Sequence, residues 1–270
     1  MDFSRLYRVD IRAWFVVLLM TLALVVEDVQ AEVIKTYSSA INKAGRQRML
    51  SQRIVKAYSM IGLDVQVDSA NEQLLTSIEL FEQQLSELKR FSKTKKNKVA
   101  EKSLANVELL WEPFKTIALN EVSKNGVQEL VKRDEALLKA AHQVVLDLQK
   151  SANSKLGRIV NISGRQRMLS QRIAKFYMLL AWRVNTETSR KLMQISSEEF
   201  SAALDELLIS DINTKAINES LDDVKVQWNI FERSFQMREG KYIPLLIAMS
   251  SEKMLDKMNK VTGLYDQLGK

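Results

Sequence analysis

The chain has 270 residues, with only two prolines and eight glycines, and it is 46% hydrophobic but only 7% aromatic. This composition is typical of helical bundles and argues against a sheet protein. The absence of cysteine excludes disulfides, thiol nucleophiles and thiolate metal sites. The net charge of +7 points to small anions or acidic surfaces rather than nucleic acid in an exported protein, and plain solubility is the alternative reading.

The N-terminal segment, residues 1–31, predicts a secretory signal peptide. Three arginines precede an apolar stretch from Ala13 to Val26, and a Val-x-Ala sequence ends at Ala31. The apolar stretch is shorter than the roughly 20 residues that cross a bilayer, which disfavours the alternative of an uncleaved anchor. We therefore expect cleavage after Ala31 and a periplasmic location.

Helical periodicity covers almost all of the remaining chain, interrupted only by short polar breaks. The predicted fold class is therefore all-α. Pro244 suits the first turn of a helix, whereas Pro113 falls inside a helical pattern and should kink or break it. The predicted helices span residues 33–66, 70–91, 97–121, 127–184, 190–209, 215–238 and 244–268.

An internal repeat organises these helices. The segment Gly45–Ala57 reads GRQRMLSQRIVKA, and 119 positions later Gly164–Phe176 reads GRQRMLSQRIAKF. The repeat extends further along the chain, since Trp111 and Trp228 also correspond. Each unit contains four helical segments, which predicts a four-helix up-down bundle. We therefore expect two tandem bundles, residues 32–150 and 151–270.

The junction between the bundles admits two arrangements. No proline and no strong turn pair occurs from Val127 to Val184. We favour one long central helix shared by both bundles, which would be about 85 Å long at 1.5 Å per residue and would stack the bundles end to end. If the chain instead reverses near Asn153, the bundles lie side by side as a pseudo-dimer.

One arginine in each repeated block lies on the apolar face of its helix. On a helical wheel, Arg48 shares a face with Ile41 and Val55, and Arg167 shares a face with Val160. A buried guanidinium is costly unless it is neutralised, and its planar fork suits carboxylate, nitrate or phosphate. This pattern predicts an anion pocket between helices.

Small and polar neighbours accompany both arginines. Glycine and serine one turn away leave room for a small guest or a close helix, and a glutamine adds a donor. The alternative is an arginine satisfied by a core acid such as Glu79 or Glu82, or one that reaches a rim. The candidate ligand-binding residues are Arg48, Arg167, Gly45, Gly164, Ser51, Gln52, Ser170 and Gln171.

The other polar residues of the blocks point away from this face. Arg46, Arg53, Arg165 and Arg172 are expected on solvated or inter-subunit surface. His142, the only histidine, is interpreted as structural. The sequence has no HExxH motif, no glycine-rich phosphate loop and no nucleophile paired with a histidine. We therefore predict a protein without enzymatic activity, metal or cofactor.

The sequences INKAGRQRMLSQR and VNISGRQRMLSQR resemble the signature of PilJ-type sensor domains, relatives of the periplasmic domain of the nitrate/nitrite sensor kinase NarX. The resemblance is strong over each opening helix and loose elsewhere. It implies four-helix bundles in which, among nitrate-binding members, an arginine of the first helix grips nitrate at a dimer interface. The family arginine, three residues after the block's glycine, corresponds to Arg48 and Arg167.

The sequence departs from such receptors, because it shows no kinase or methyl-accepting module. We expect a stand-alone module that binds nitrate or nitrite, reports to a membrane-bound receptor or kinase, and can form a homodimer. The alternative is a ligand-free structural protein whose arginines bridge helices or subunits.

Overall fold

Helices joined by short loops make up residues 33–235 and 241–270, which a computed structural model describes. No strand occurs in these two ranges, so the all-α prediction is confirmed. The predicted signal peptide, residues 1–31, lies outside the described residues. The helices are α1 (Tyr37–Gly62), α2 (Val67–Thr94), α3 (Lys98–Leu119), α4 (Lys124–Ala152), α5 (Lys155–Ala181), α6 (Thr186–Leu208), α7 (Lys215–Phe235) and α8 (Pro244–Gln267).

Hydroxyl caps define where several helices begin. Thr36, Ser123 and Ser154 each accept a hydrogen bond from the backbone N–H three residues later, at 3.0–3.1 Å. Such a cap satisfies one of the unpaired N–H groups of the first turn and is worth about 0.5–2 kcal/mol. Pro113 does not end its helix, because α3 continues to Leu119.

Each repeat unit folds as a ring of four helices, α1–α4 and α5–α8. The aromatic anchors of the two rings correspond. Phe81 stacks on Trp111 with ring centroids 3.9 Å apart, and Phe200 stacks on Trp228 at 4.0 Å. The prediction of two tandem four-helix bundles is therefore confirmed.

The continuous central helix that we favoured is wrong, because the chain reverses between α4 and α5. Helix α4 ends at Ala152, and Asn153 adopts the left-handed conformation, with φ 42° and ψ 47°. Asparagine tolerates this conformation better than other non-glycine residues. Ser154 then caps α5 directly, so a helix stop and a helix start are adjacent in the sequence.

The first helices of the two bundles, α1 and α5, pack side by side and run parallel. A Cβ at Gly157, near the start of α5, would lie 3.1 Å from Cδ1 of Ile41, near the start of α1. At the other end, the ring of Trp182 occupies the space where Gly62 would carry a side chain. Residues 33–270 consequently form one compact unit that contains both bundles.

None of the helices in residues 33–235 and 241–270 is both long enough and apolar enough to cross a bilayer.

Candidate functional site

Helices α1 and α5 approach each other closely at a pair of glycines. A Cβ at Gly45 would lie 3.9 Å from the Cα of Gly164. The same Cβ position is 3.3 Å from Nη2 of Arg48 and 3.6 Å from Nη2 of Arg167. Both Nη2 atoms therefore lie within 3.6 Å of one point. Both predicted arginines converge on one region, which we call the shared site.

Arg48 is held by one contact within its own bundle and one to the other bundle. Its Nη1 donates to Nδ1 of His142 on α4 at 2.9 Å, which places the ring proton of a neutral His142 on Nε2. Its Nη2 donates to the carbonyl oxygen of Asn161 on α5 at 3.3 Å. His142 thus orients the guanidinium, a role that its interpretation as merely structural did not include.

Arg167 repeats this arrangement with the bundles exchanged. Its Nη1 donates to Oδ1 of Asn259 on α8 at 3.4 Å. Its Nη2 donates to the carbonyl oxygen of Asn42 on α1 at 3.1 Å and to Oδ1 of the same residue at 2.8 Å. An approximate two-fold axis therefore runs through the shared site, and His142 and Asn259 are related positions that differ chemically.

Within the described residues, no carboxylate contacts either arginine of the shared site. Arg48 and Arg167 are 1% and 0% exposed, and neither forms an ion pair with a carboxylate in the described part of the chain. The Nε of each lies buried without a hydrogen-bond partner there. Asp266 is the one acid whose charge acts on Arg167, and its carboxylate accepts hydrogen bonds from Ser39 and Asn42 instead.

The electrostatics of the site reflect this imbalance. Burial, followed by the charge of Arg165, lowers the pKa of Arg48 to about 9. Burial, with the charges of Arg46 and Arg48, lowers the pKa of Arg167 well below its ordinary value. Loss of hydration and mutual repulsion both oppose the charged forms, so the site favours any change that brings negative charge into it.

His142 should make folding stability depend on pH. Burial and then the charges of Arg48 and Arg165 lower its pKa to about 4. The unfolded chain takes up a proton below about pH 6.5 and the folded chain only near 4, so stability falls as the pH drops through this window. We expect His142→Asn, which copies Asn259, to lose less stability there, by at most about 1.4 kcal/mol per pH unit. Denaturant unfolding at pH 4–7 measures the difference, and parallel curves for both proteins would contradict it.

The predicted neighbours of the arginines are buried, but their donors already have partners. The hydroxyls of Ser51 and Ser170 donate to the carbonyl oxygens of Arg48 and Arg167, at 3.0 and 2.9 Å. Gly45 and Gly164 form the helix contact. A direct contact of the two serines with an anion stays a prediction.

The two predicted glutamines make related contacts within their own bundles. Gln52 Nε2 donates to Oδ1 of Asp134 at 2.7 Å, and Gln171 Nε2 donates to the carbonyl oxygen of Ser251 at 3.2 Å. Their Oε1 atoms are buried without a partner among the described residues. The structure thus leaves an acceptor rather than a donor unused on each glutamine, and their role as anion ligands also stays a prediction.

Basic residues later in the blocks link the two bundles through ion pairs in which the lysines are fully buried. Lys56, which is fully buried, and Arg53 both bind Glu252 of α8. In the related positions, Arg172 binds Glu135 of α4, and Lys175 lies between Glu135 and Asp134. Of the two positions expected for Arg172, solvated surface or inter-subunit surface, the solvated one is wrong, because this residue is 9% exposed and lies over the ring of Phe176.

Sequence reasoning missed the residues that hold the arginines. Asn42 and Asn161 could have been found, since both precede the block's glycine by three residues and are 119 positions apart. His142 and Asn259 carried no such signal, because they differ in type and lie on other helices. The two arginines themselves lie where the helical wheel predicted, on the inward face.

The architecture defines the chain as a duplicated four-helix-bundle protein. The family model of the type IV pili methyl-accepting chemotaxis transducer N-terminal domain, PilJ, matches residues 32–138 and again 149–262, and the chain belongs to this family. The family is a non-catalytic, periplasmic-type sensing domain. Neither the curated proteins nor the solved structures include a significant match to the chain. The likeness to NarX stays a prediction.

Proposed function

We propose that the protein is a periplasmic sensing module that binds one small oxyanion, nitrate or nitrite, between Arg48 and Arg167. The observation that carries this proposal is the convergence of two buried guanidinium groups on one pair of glycines. The Nη2 atoms of Arg48 and Arg167 lie 3.3 and 3.6 Å from the Cβ position at Gly45. A tandem chain would thereby build from its two halves the kind of site that the resemblance places between two subunits.

The energetic argument starts from the cost of the anion-free state. Taking a single ion out of water costs several kcal/mol even after the protein relaxes. The shared site holds two such cations, and the nearby Arg46 and Arg165 add to their repulsion. A bound anion would reverse the sign of this interaction, since each guanidinium would then face negative charge in a medium of low dielectric constant.

The geometry also suits a small, flat guest. The planar fork of arginine matches oxygen atoms that lie in one plane, as those of nitrate do. The absence of side chains at Gly45 and Gly164 lets both guanidinium groups lie close to the same point of the helix contact. His142 and the asparagines, which accept hydrogen bonds from the two guanidinium groups, are uncharged. An anion that replaced them as acceptor would therefore leave no charged group without a partner.

Titration calorimetry with nitrate and nitrite tests the proposal. We expect one anion per chain, because both arginines contribute to a single site. Arg48→Met and Arg167→Met should each weaken binding at least tenfold, since a lost charge-assisted hydrogen bond is worth about 1.5–3 kcal/mol. The matched control, Arg90→Met on the exposed face of α2, should bind like the unchanged protein. Equal heats for all four proteins, or two anions per chain, would contradict the proposal.

The bound state must be read by another protein in this proposal. The family takes its description from the N-terminal part of chemotaxis transducers, and a membrane-bound receptor or kinase is the corresponding partner here. Because the second bundle already occupies the position of a dimer partner, a homodimer would have to use a different face. Sedimentation of the protein with and without nitrate measures that association.

A structural role is the second candidate function. Arg48 and Arg167 each donate to a carbonyl oxygen of the other bundle, on Asn161 and Asn42. These contacts could by themselves hold α1 against α5. The two functions predict opposite effects of removing the arginines on stability, as argued in the Discussion.

A further inference from the structure

A cavity of about 240 Å³ opens beside the shared site, between α1, α4, α5 and α6. We call it the lateral cavity. The buried Arg48 and the exposed Lys139 both line it, whereas Arg167 does not. Its walls are Arg48, Glu135, Leu138, Lys139, His142, Arg165, Met168, Arg172, Ile195, Ser196 and Glu199.

The lateral cavity has unbalanced positive charge. Its two acids are already neutralised, because Glu135 binds Arg172 at 2.9 Å and Glu199 binds Arg165 at 2.8 Å. Lys139, by contrast, forms no ion pair in residues 33–235 and 241–270, and Arg48 has no carboxylate partner there. A ligand with one negative charge would face two cations, neither of which forms an ion pair with an acid of the cavity.

The size and the remaining walls of the lateral cavity point beyond a four-atom anion. A water molecule takes about 30 Å³ of liquid volume, so the 240 Å³ cavity holds far more than one small inorganic ion. Leu138, Met168 and Ile195 supply apolar surface along its length. A cavity that combines this apolar surface with charged side chains can receive both the body and the charged end of an organic ion.

The positions that the repeat relates to the walls of the lateral cavity have different side chains. The repeat relates Lys139 to Asp256, and Ile195 to Thr76. Both changes would remove a feature that an organic anion needs, first the cation and then the apolar wall. The combination of Lys139 and Ile195 in the lateral cavity is therefore not duplicated by the repeat.

We propose that the lateral cavity binds a small organic monocarboxylate with an apolar body. The carboxylate lies against Lys139 and Arg48, and the body packs on Leu138, Met168 and Ile195. This ligand class goes beyond the proposed oxyanion function and uses a different set of walls. Arg48 is common to both sites, so occupation of one changes the affinity of the other.

Calorimetry with benzoate as the probe, and with neutral benzamide as the matched compound, tests this proposal. We expect benzoate to bind one site per chain and benzamide to bind at least tenfold more weakly. Lys139→Asp, which copies Asp256, should weaken benzoate binding at least tenfold and change nitrate binding less than twofold. Lys102→Asp, the same charge change on the exposed face of α3, should leave benzoate binding unchanged.

A second pair of variants separates the two sites. Ile195→Thr should weaken benzoate but not nitrate, and Arg167→Met should weaken nitrate but not benzoate. The proposal is overturned if benzoate does not bind, if Lys139→Asp leaves its affinity unchanged, or if benzamide binds as tightly. Benzoate binding without nitrate binding would instead overturn the oxyanion function alone.

Discussion

Replacing Arg48 and Arg167 together by methionine should raise the melting temperature of the anion-free protein. Methionine keeps an unbranched, adaptable side chain of similar length in the core and removes two buried charges that have no acid partner in the described structure. Replacement of buried ionic groups by apolar ones of similar volume stabilises proteins by about 1–4 kcal/mol. At roughly 2–4 °C per kcal/mol for a domain of this size, the change is readily measured by calorimetric melting.

The same experiment with nitrate should reduce the advantage of the double variant. At one hundred times its Kd, a ligand stabilises the folded protein by about 2.7 kcal/mol, and the double variant should lose this gain entirely. Arg90→Met serves as the control in both conditions. If the double variant melts lower than the unchanged protein without anion, the guanidinium groups are structural links between α1 and α5. The second candidate function would then replace the first.

Replacing Glu252 by glutamine is expected to cause the largest loss of stability. Glu252 is the acid that binds both Arg53 and Lys56, each at 2.5 Å, and Lys56 is 0% exposed. Burial already lowers the pKa of Lys56 to about 8, against the opposing effect of Glu252. Breaking a fully buried ion pair by removing one partner costs about 3–5 kcal/mol. Because the side chain of Glu252 is 28% exposed, denaturant unfolding should show a loss toward the lower end of this range.

Two further variants control this measurement. Glu108→Gln breaks the exposed pair with Lys89 and should cost at most about 1 kcal/mol. Adding Lys56→Met to Glu252→Gln should recover most of the loss, since the buried charge is then gone as well. A cost no greater than that of Glu108→Gln would show that Lys56 needs no acid across the bundle interface.

The repeat predicted most of the fold, because its two copies carry matching core positions such as Trp111 and Trp228 through the whole of each unit. It did not predict how the bundles meet. That arrangement depends on Asn153 leaving the helix, and a single residue in the left-handed conformation leaves no periodic signal. The stretch around it has helical composition on both sides, which favoured the wrong alternative.

The candidate site was predictable only in part, for a related reason. A helical wheel assigns residues to faces, so the inward positions of Arg48 and Arg167 could be read from one helix. The partners of the arginines come from α4, α8 and the opposite bundle, and their approach is a tertiary property. The cations that pair across the interface, such as Lys56, were missed because their acids lie almost two hundred residues away.

Covalent linkage of the two bundles has a consequence for how the shared site, in its proposed function, responds to dilution and to mutation. A cleft assembled from two separate chains empties when subunits dissociate, whereas here both walls are always present at a high effective concentration. Occupancy should thus follow the ligand alone, whatever the abundance of the protein. The linkage also lets one wall of the shared site differ from the other, as His142 and Asn259 at related positions illustrate.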